Sequence, residues 1–142
     1  MTRRFEIRRR LEASPEEVWK AVSDHGSYRD WTVLTRSRLE EEGHPHRDGV
    51  GALRFLGVGS AGARERVVAF DPPRHLAYRL ERGAPVRDYE ADVRLEAAPG
   101  GGTDLVWSGS FRSAPPGTAW FFERMFRGVV AHFVARLGRL KG

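Results

Sequence analysis

The sequence predicts an α+β fold in which an antiparallel sheet grips a long C-terminal helix and leaves an apolar pocket between them. Three observations carry that expectation. Residues 75–112 hold three consecutive segments of period-two alternation joined by turn-forming residues, the pattern of an antiparallel meander and not of parallel strands with crossover helices. Residues 118–140 carry apolar side chains at helical spacing. The chain has no second long amphipathic helix to cover that stripe, so it must be buried against the meander, another chain or a membrane surface.

The elements follow in order. Alternation of Phe5, Ile7, Arg9 and Leu11 predicts an edge-like or exposed first strand over residues 3–12. Ser14-Pro15-Glu16-Glu17 then starts a helix: Ser14 suits the N-cap, Pro15 the first helical position, and Glu17 a capping box. That helix carries Val18, Trp19, Ala21 and Val22 and breaks at Asp24-His25-Gly26, with a short aromatic segment holding Tyr28 and Trp31 behind it. Further strands are expected over 34–39, over 50–56 with Leu53 and Phe55 on one face, and over 63–70, the last two separated by a turn rich in glycine. In the meander, Leu76, Tyr78 and Leu80 share a face, as do Tyr89, Ala91, Val93 and Leu95, and then Leu105, Trp107, Gly109 and Phe111. The closing helix places Phe122, Phe126, Val129, Phe133, Leu137 and Leu140 in one stripe, broadened by Phe121, Met125, Val130 and Val134. At about 1.5 Å per residue it is roughly 30–35 Å long, enough to cross a sheet.

Composition bounds the function. A chain of 142 residues fits one domain, residues 1–142, and 40% hydrophobic with 30% charged residues is globular composition. Lack of cysteine excludes disulfides, Cys-ligated zinc and thiol nucleophiles. Glu6 and Arg8 fall where a secretory leader needs an apolar stretch, and no apolar run nears the roughly 20 residues of a spanning helix. A cytoplasmic protein without stable membrane insertion is expected. The net charge of +5 raises the question of nucleic acid, but only Arg8-Arg9-Arg10 is a compact basic cluster. The other basic residues alternate with apolar ones or sit beside Asp and Glu, so a solvated sheet face is expected and no nucleic-acid partner.

The candidate site lies on the inferred inward faces: Phe55, Tyr78, Tyr89, Trp107 and Phe111 on the sheet against Phe122, Met125, Phe126 and Phe133 on the helix. Rings interspersed with Gly51, Ala91 and Gly109 suit either a packed core or a wall around a ligand. Tyr78, Tyr89 and Trp107 carry polar atoms that can orient a ligand or satisfy core hydrogen bonds. Alternation with Leu53 and Phe55 would point Arg54 outward, with Glu65 paired to it across a strand, unless a bulge reverses the faces. His132 is a proton-transfer candidate if it faces the cavity. His25 and His75 read as structural or exposed, and His44 and His46 as loop residues without metal-ligand spacing, so neither a metal nor a cofactor is expected. Ser108 and Ser110 lack a nucleophile-elbow context, and Gly57, Gly59 and Gly62 lack a phosphate-loop lysine.

Taken in order, several segments resemble the polyketide cyclase/dehydrase and lipid transport family of the START/Bet v 1-like (SRPBCC) superfamily. They are Ser14-Pro15-Glu16-Glu17-Val18-Trp19, Tyr28-Arg29-Asp30-Trp31, residues 49–55, residues 64–73, residues 75–80, residues 102–107 and the closing aromatic helix. The resemblance covers nearly the whole chain. It implies a helix-grip fold, with seven antiparallel strands curled around the C-terminal helix over a hydrophobic cavity, but no shared catalytic motif. Two functions follow as expectations: binding or transport of an apolar or aromatic small molecule, or cyclase/dehydratase chemistry on an aromatic or polyketide-like substrate. An interaction protein using an exposed helix stripe or Arg8-Arg9-Arg10 is the third class, opposed by the lack of aromatics interleaved with a basic run.

Overall fold

The computed structural model describes residues 2–141, so Met1 and Gly142, the ends of the expected domain, lie outside the described residues. Seven strands form one antiparallel sheet in the order β1-β7-β6-β5-β4-β3-β2. They are β1 (Arg3–Leu11), β2 (Arg36–Glu41), β3 (Leu53–Val58), β4 (Ala61–Asp71), β5 (His75–Arg82), β6 (Glu90–Ala97) and β7 (Thr103–Phe111). Helix α1 (Pro15–Ser23), a 3₁₀ turn (His25–Ser27) and α2 (Tyr28–Trp31) connect the two end strands β1 and β2, and α3 (Ala119–Leu137) closes the chain. This is the expected helix-grip architecture, and β1 is an edge strand pairing with β7.

Local chemistry explains the element boundaries. Ser14 Oγ accepts a hydrogen bond from the Glu17 amide at 3.2 Å, and Pro15 starts α1 without wasting a donor. The reciprocal half of the capping box is not formed; the Glu17 carboxylate turns instead toward Lys20, 3.6 Å away. Val18, Trp19 and Val22 are buried, and Trp19 packs on Phe70 of β4 at 5.3 Å between ring centroids. The glycine-rich segment expected as a turn narrows to residues 59–60, because Gly57 and Gly62 pair directly across β3 and β4. Neither position has room for a side chain: a Cβ on Gly62 would lie 2.5 Å from the Leu56 carbonyl oxygen.

The meander follows the alternation read from sequence. Leu76, Tyr78, Tyr89, Ala91, Val93, Leu95, Leu105, Trp107 and Phe111 are all buried on the face that meets the helix. Gly109 belongs to this set because a Cβ there would sit 2.6 Å from the Phe5 ring and 3.0 Å from the Tyr89 hydroxyl. A bulge in β4 separates Val67, opposite Tyr78, from Ala69, opposite Ala77. The extra residue lets Glu65 and Val67 point inward before it and Phe70 after it.

The buried stripe of α3 is Phe126, Val130, Phe133, Val134 and Leu137, rotated from the expected one. Phe121 and Val129 are corrections: they are 50% and 45% exposed, since the sheet covers less than the full apolar arc of the helix. Phe126 stacks on Tyr89 with centroids 4.1 Å apart. Phe133 is surrounded by Tyr28, Trp31 and Trp107 at 5.4, 5.9 and 5.6 Å. It therefore joins α2, α3 and β7 in one aromatic cluster. Phe133→Ala is expected to lower the unfolding free energy by about 3–5 kcal/mol in urea denaturation; a loss below 1 kcal/mol would show that the cluster does not anchor the helix.

Candidate functional site

A cavity of about 460 Å³ lies between α3 and the β3–β4–β5 side of the sheet. Its walls are mainly apolar: Leu34, Leu56, Leu80, Ala84, Val130 and Phe133, with Tyr78, Tyr89 and Phe126 on one side. Val58, Met125 and Val129 also line it and are partly exposed, so they form its mouth. The small residues Ala61, Gly62, Ala63 and Gly83 leave the space open at the hairpin end. A larger concavity, about 870 Å³, sits on the outer sheet face among Arg8, Arg10, Arg74, Arg94, Glu96 and Asp104. Its charged walls, with Arg10 on Asp104 at 2.8 Å, make it solvated surface and not a place to desolvate an organic ligand.

Of the sequence-nominated residues, Tyr78, Tyr89, Met125, Phe126 and Phe133 line the cavity. Trp107 and Phe111 are fully buried behind it, Trp107 donating its indole N–H to the Tyr78 hydroxyl at 3.2 Å and Phe111 packing on Phe126. Phe122 is half-buried beside Phe121 and Phe126, away from the cavity walls. Phe55 is a correction: it lies on the outer face, its ring between the guanidinium groups of Arg38 and Arg64 at 4.6 and 5.0 Å. These arginines are in turn held by Glu40, at 2.9 and 2.8 Å, so cation–π contacts and ion pairs cover the ring in place of a core.

The inversion of Phe55 inverts Arg54. The expectation of an outward Arg54 is overturned: it is fully buried on the concave face. Glu65 stands directly opposite in the β3–β4 register, as expected for a cross-strand pair. Arg54 Nε donates to Glu65 Oε1 at 2.9 Å, and Nη2 lies 2.9 Å from the same oxygen but off the line of a hydrogen bond. Nη1 donates to the Tyr28 hydroxyl at 3.1 Å and to His25 Nδ1 at 3.3 Å, while the guanidinium plane rests against the rings of Tyr28 and Tyr78. The Tyr28 hydroxyl donates onward to the Val22 carbonyl at 2.7 Å.

His25 closes the network at its far end. Its Nε2 lies 2.9 Å from the Asp48 carbonyl, which can only accept, so Nε2 carries the proton and Nδ1 is the acceptor for Arg54. Burial, and then the adjacent Arg54 charge, lower the His25 pKa to about 3. Burial raises the Tyr28, Tyr78 and Tyr89 hydroxyls above their ordinary range, keeping them neutral donors. Burial also pushes the Glu65 carboxyl up, and Arg54 pulls it back. His132 faces away from this system: its Nε2 accepts from the Val33 amide at 3.1 Å and ties α3 to the loop after α2. Glu65 is the wall residue that alternation left ambiguous, because its face depends on how β3 is rotated.

Residues 2–141 match the sequence profile of the polyketide cyclase/dehydrase and lipid transport family, and the chain belongs to that family. No curated protein matches it by sequence. Among solved structures it is similar to the ZhuI aromatase/cyclase of a Streptomyces strain, at 25% identity and TM-score 0.77, covering 97% of this chain and 93% of that one. A START superfamily protein from Mycobacterium smegmatis aligns at 15% identity and TM-score 0.76, over 96% and 94% of the two chains. Ara h 8.0201 aligns at 17% identity and TM-score 0.74, over 97% of each. The chain thus has the helix-grip fold of the START/Bet v 1-like superfamily.

The buried histidine yields a pH test. Its folded pKa lies below the unfolded value of about 6.5, so the unfolded state binds more protons between pH 6.5 and 3. Its contribution is fully present above pH 6.5 and is lost as pH falls, at up to about 1.4 kcal/mol per pH unit. Unfolding free energies measured between pH 6.5 and 5 should fall more steeply for the native protein than for His25→Gln; parallel slopes would refute a buried neutral imidazole.

Proposed function

We propose that the protein binds or carries an apolar or aromatic small molecule in the cavity between α3 and β3–β5. The observation that carries this reading is the cavity itself: about 460 Å³ of mostly apolar wall, open at Val58, Met125 and Val129, inside an otherwise ring-packed core. Transfer of apolar surface from water into such a space contributes roughly 25 cal/mol per Å² buried, enough to hold a compact ring system without any catalytic apparatus. The family's description includes lipid transport, which agrees with carriage. Ala63 lies on the inward face of β4 at the cavity wall, so Ala63→Phe should fill the space. Titration with a neutral naphthalene derivative, followed by tryptophan fluorescence or calorimetry, is expected to show saturable binding that this substitution weakens about tenfold or more. Equal affinity in both proteins would place the ligand elsewhere.

A second reading, cyclisation or dehydration of a polyketide-like chain, is supported by the Tyr78 and Tyr89 phenols and the Glu65 carboxylate on one cavity wall. A structural relative is an aromatase/cyclase. On this reading the walls fold a reactive chain and the polar groups orient its carbonyls. Turnover of a poly-β-ketone mimic should then be lost in Tyr89→Phe at an unchanged unfolding midpoint, and in Tyr78→Phe while the protein stays folded, the latter at a lower midpoint because Trp107 loses its acceptor. No turnover by the native protein across a panel of such mimics would dismiss it.

A further inference from the structure

We infer that Glu65 is the specificity-determining residue of the cavity, its Oε2 selecting a neutral ligand that carries a hydrogen-bond donor such as a phenolic or alcoholic hydroxyl. This rests on the cavity-binding reading and adds the chemistry of the ligand's polar end. Both close approaches of Arg54, from Nε and Nη2, fall on Oε1. Among the described residues no group donates a hydrogen bond to Oε2. The Glu65 side chain is 12% exposed while Arg54 is fully covered, and of the two only Glu65 lines the cavity. The pair therefore presents its acceptor to the ligand and hides its donors.

The charge balance of the pair decides which ligands suit it. Arg54 already neutralises Glu65, so a cationic head group would enter an apolar cavity with no net counter-charge. An anionic head group would meet the exposed carboxylate oxygen with its neutralising arginine on the far side. Either leaves a desolvated charge without compensation. A neutral donor instead satisfies a buried acceptor, and a site built around such an acceptor discriminates strongly against ligands lacking the donor. Arg54 acts as a positioning residue: its contacts with Tyr28 and His25, and its seat between the Tyr28 and Tyr78 rings, fix the guanidinium and through it the carboxylate.

A matched set of ligands on one ring system tests this: 2-naphthol, its methyl ether and 2-naphthoate, each titrated calorimetrically against the native protein. Naphthol is expected to bind about tenfold or more tighter than the ether and the carboxylate. In Glu65→Gln the preference for naphthol over the ether should fall below about twofold, since the amide can offer a donor to the cavity. Because Glu65→Gln leaves Arg54 without its counter-charge, the double variant Arg54→Met, Glu65→Leu serves as a second test in which the ion pair is replaced by apolar side chains. It should bind the ether at least as well as the native protein and lose the naphthol preference. Equal binding of naphthol and ether by the native protein, or a preference that survives in either folded variant, overturns the role of Glu65 while leaving the cavity reading intact. Failure of the native protein to bind any of the three overturns both.

Discussion

A guanidinium cannot enter the concave face of a sheet alone; the bare charge would cost several kcal/mol. Arg54 does enter it, and much of the molecule is arranged around that constraint. Glu65 supplies the counter-charge from the neighbouring strand, at the directly opposite register position. Tyr28 and His25 accept from the remaining edge of the guanidinium, and Tyr28 and Tyr78 supply aromatic faces. His25 must stay neutral to serve, which its burial and the neighbouring arginine enforce. One side chain thereby joins β3, β4 and β5 to the 3₁₀ turn, α2 and the backbone at Asp48. It also sets the polarity of the cavity wall, since Glu65 is held by Arg54 from behind and borders the cavity at its front.

The cavity exists because large and small residues are segregated along α3. At one end Phe133 is enclosed by Tyr28, Trp31 and Trp107, and Tyr89 and Phe126 stack without a gap. At the hairpin end Ala61, Ala63 and Ala84 have side chains too short to fill the space, and the backbone of Gly62 and Gly83 completes the wall. Two of these are small for backbone reasons: Gly62 pairs against Gly57 where no Cβ fits, and Gly83 has φ 132° with the Ala63 Cα 2.9 Å from where its Cβ would be. Met125 and Val129, left uncovered there, become the rim of an opening.

Much of the fold is legible in residue patterns because these reflect local geometry. Ser14-Pro15 starts α1, the period-two runs give the meander its buried face, and the 3.6-residue period of the last segment gives α3. The site is legible only in part, for an equally physical reason. Along β3, Leu53, Arg54, Phe55 and Leu56 are all buried, so polarity does not tell which face is the core. Phe55 is covered by arginines from outside, and Arg54 is neutralised from inside. Alternation assumes the apolar residue faces in, and here cross-strand charges reverse that assumption. Trp107, Phe111 and Phe122 illustrate a second gap: an inward or half-buried ring can belong to the packed layer beneath a wall as readily as to the wall.

The sequence by itself determined the order of the elements, the apolar faces of β5–β7 and the need of the last helix for a covering surface, since each depends on neighbours a few residues apart. The tertiary structure alone decided three things. The sheet of the same chain covers the helix, with an arc at Phe121, Met125 and Val129 left out. The bulge in β4 brings Glu65, Val67 and Phe70 to the same interior. The pocket between sheet and helix stays open instead of closing into core, and an acceptor oxygen of a buried ion pair stands in its wall. These depend on strand rotation, register and packing between residues distant in sequence, which no short-range pattern specifies.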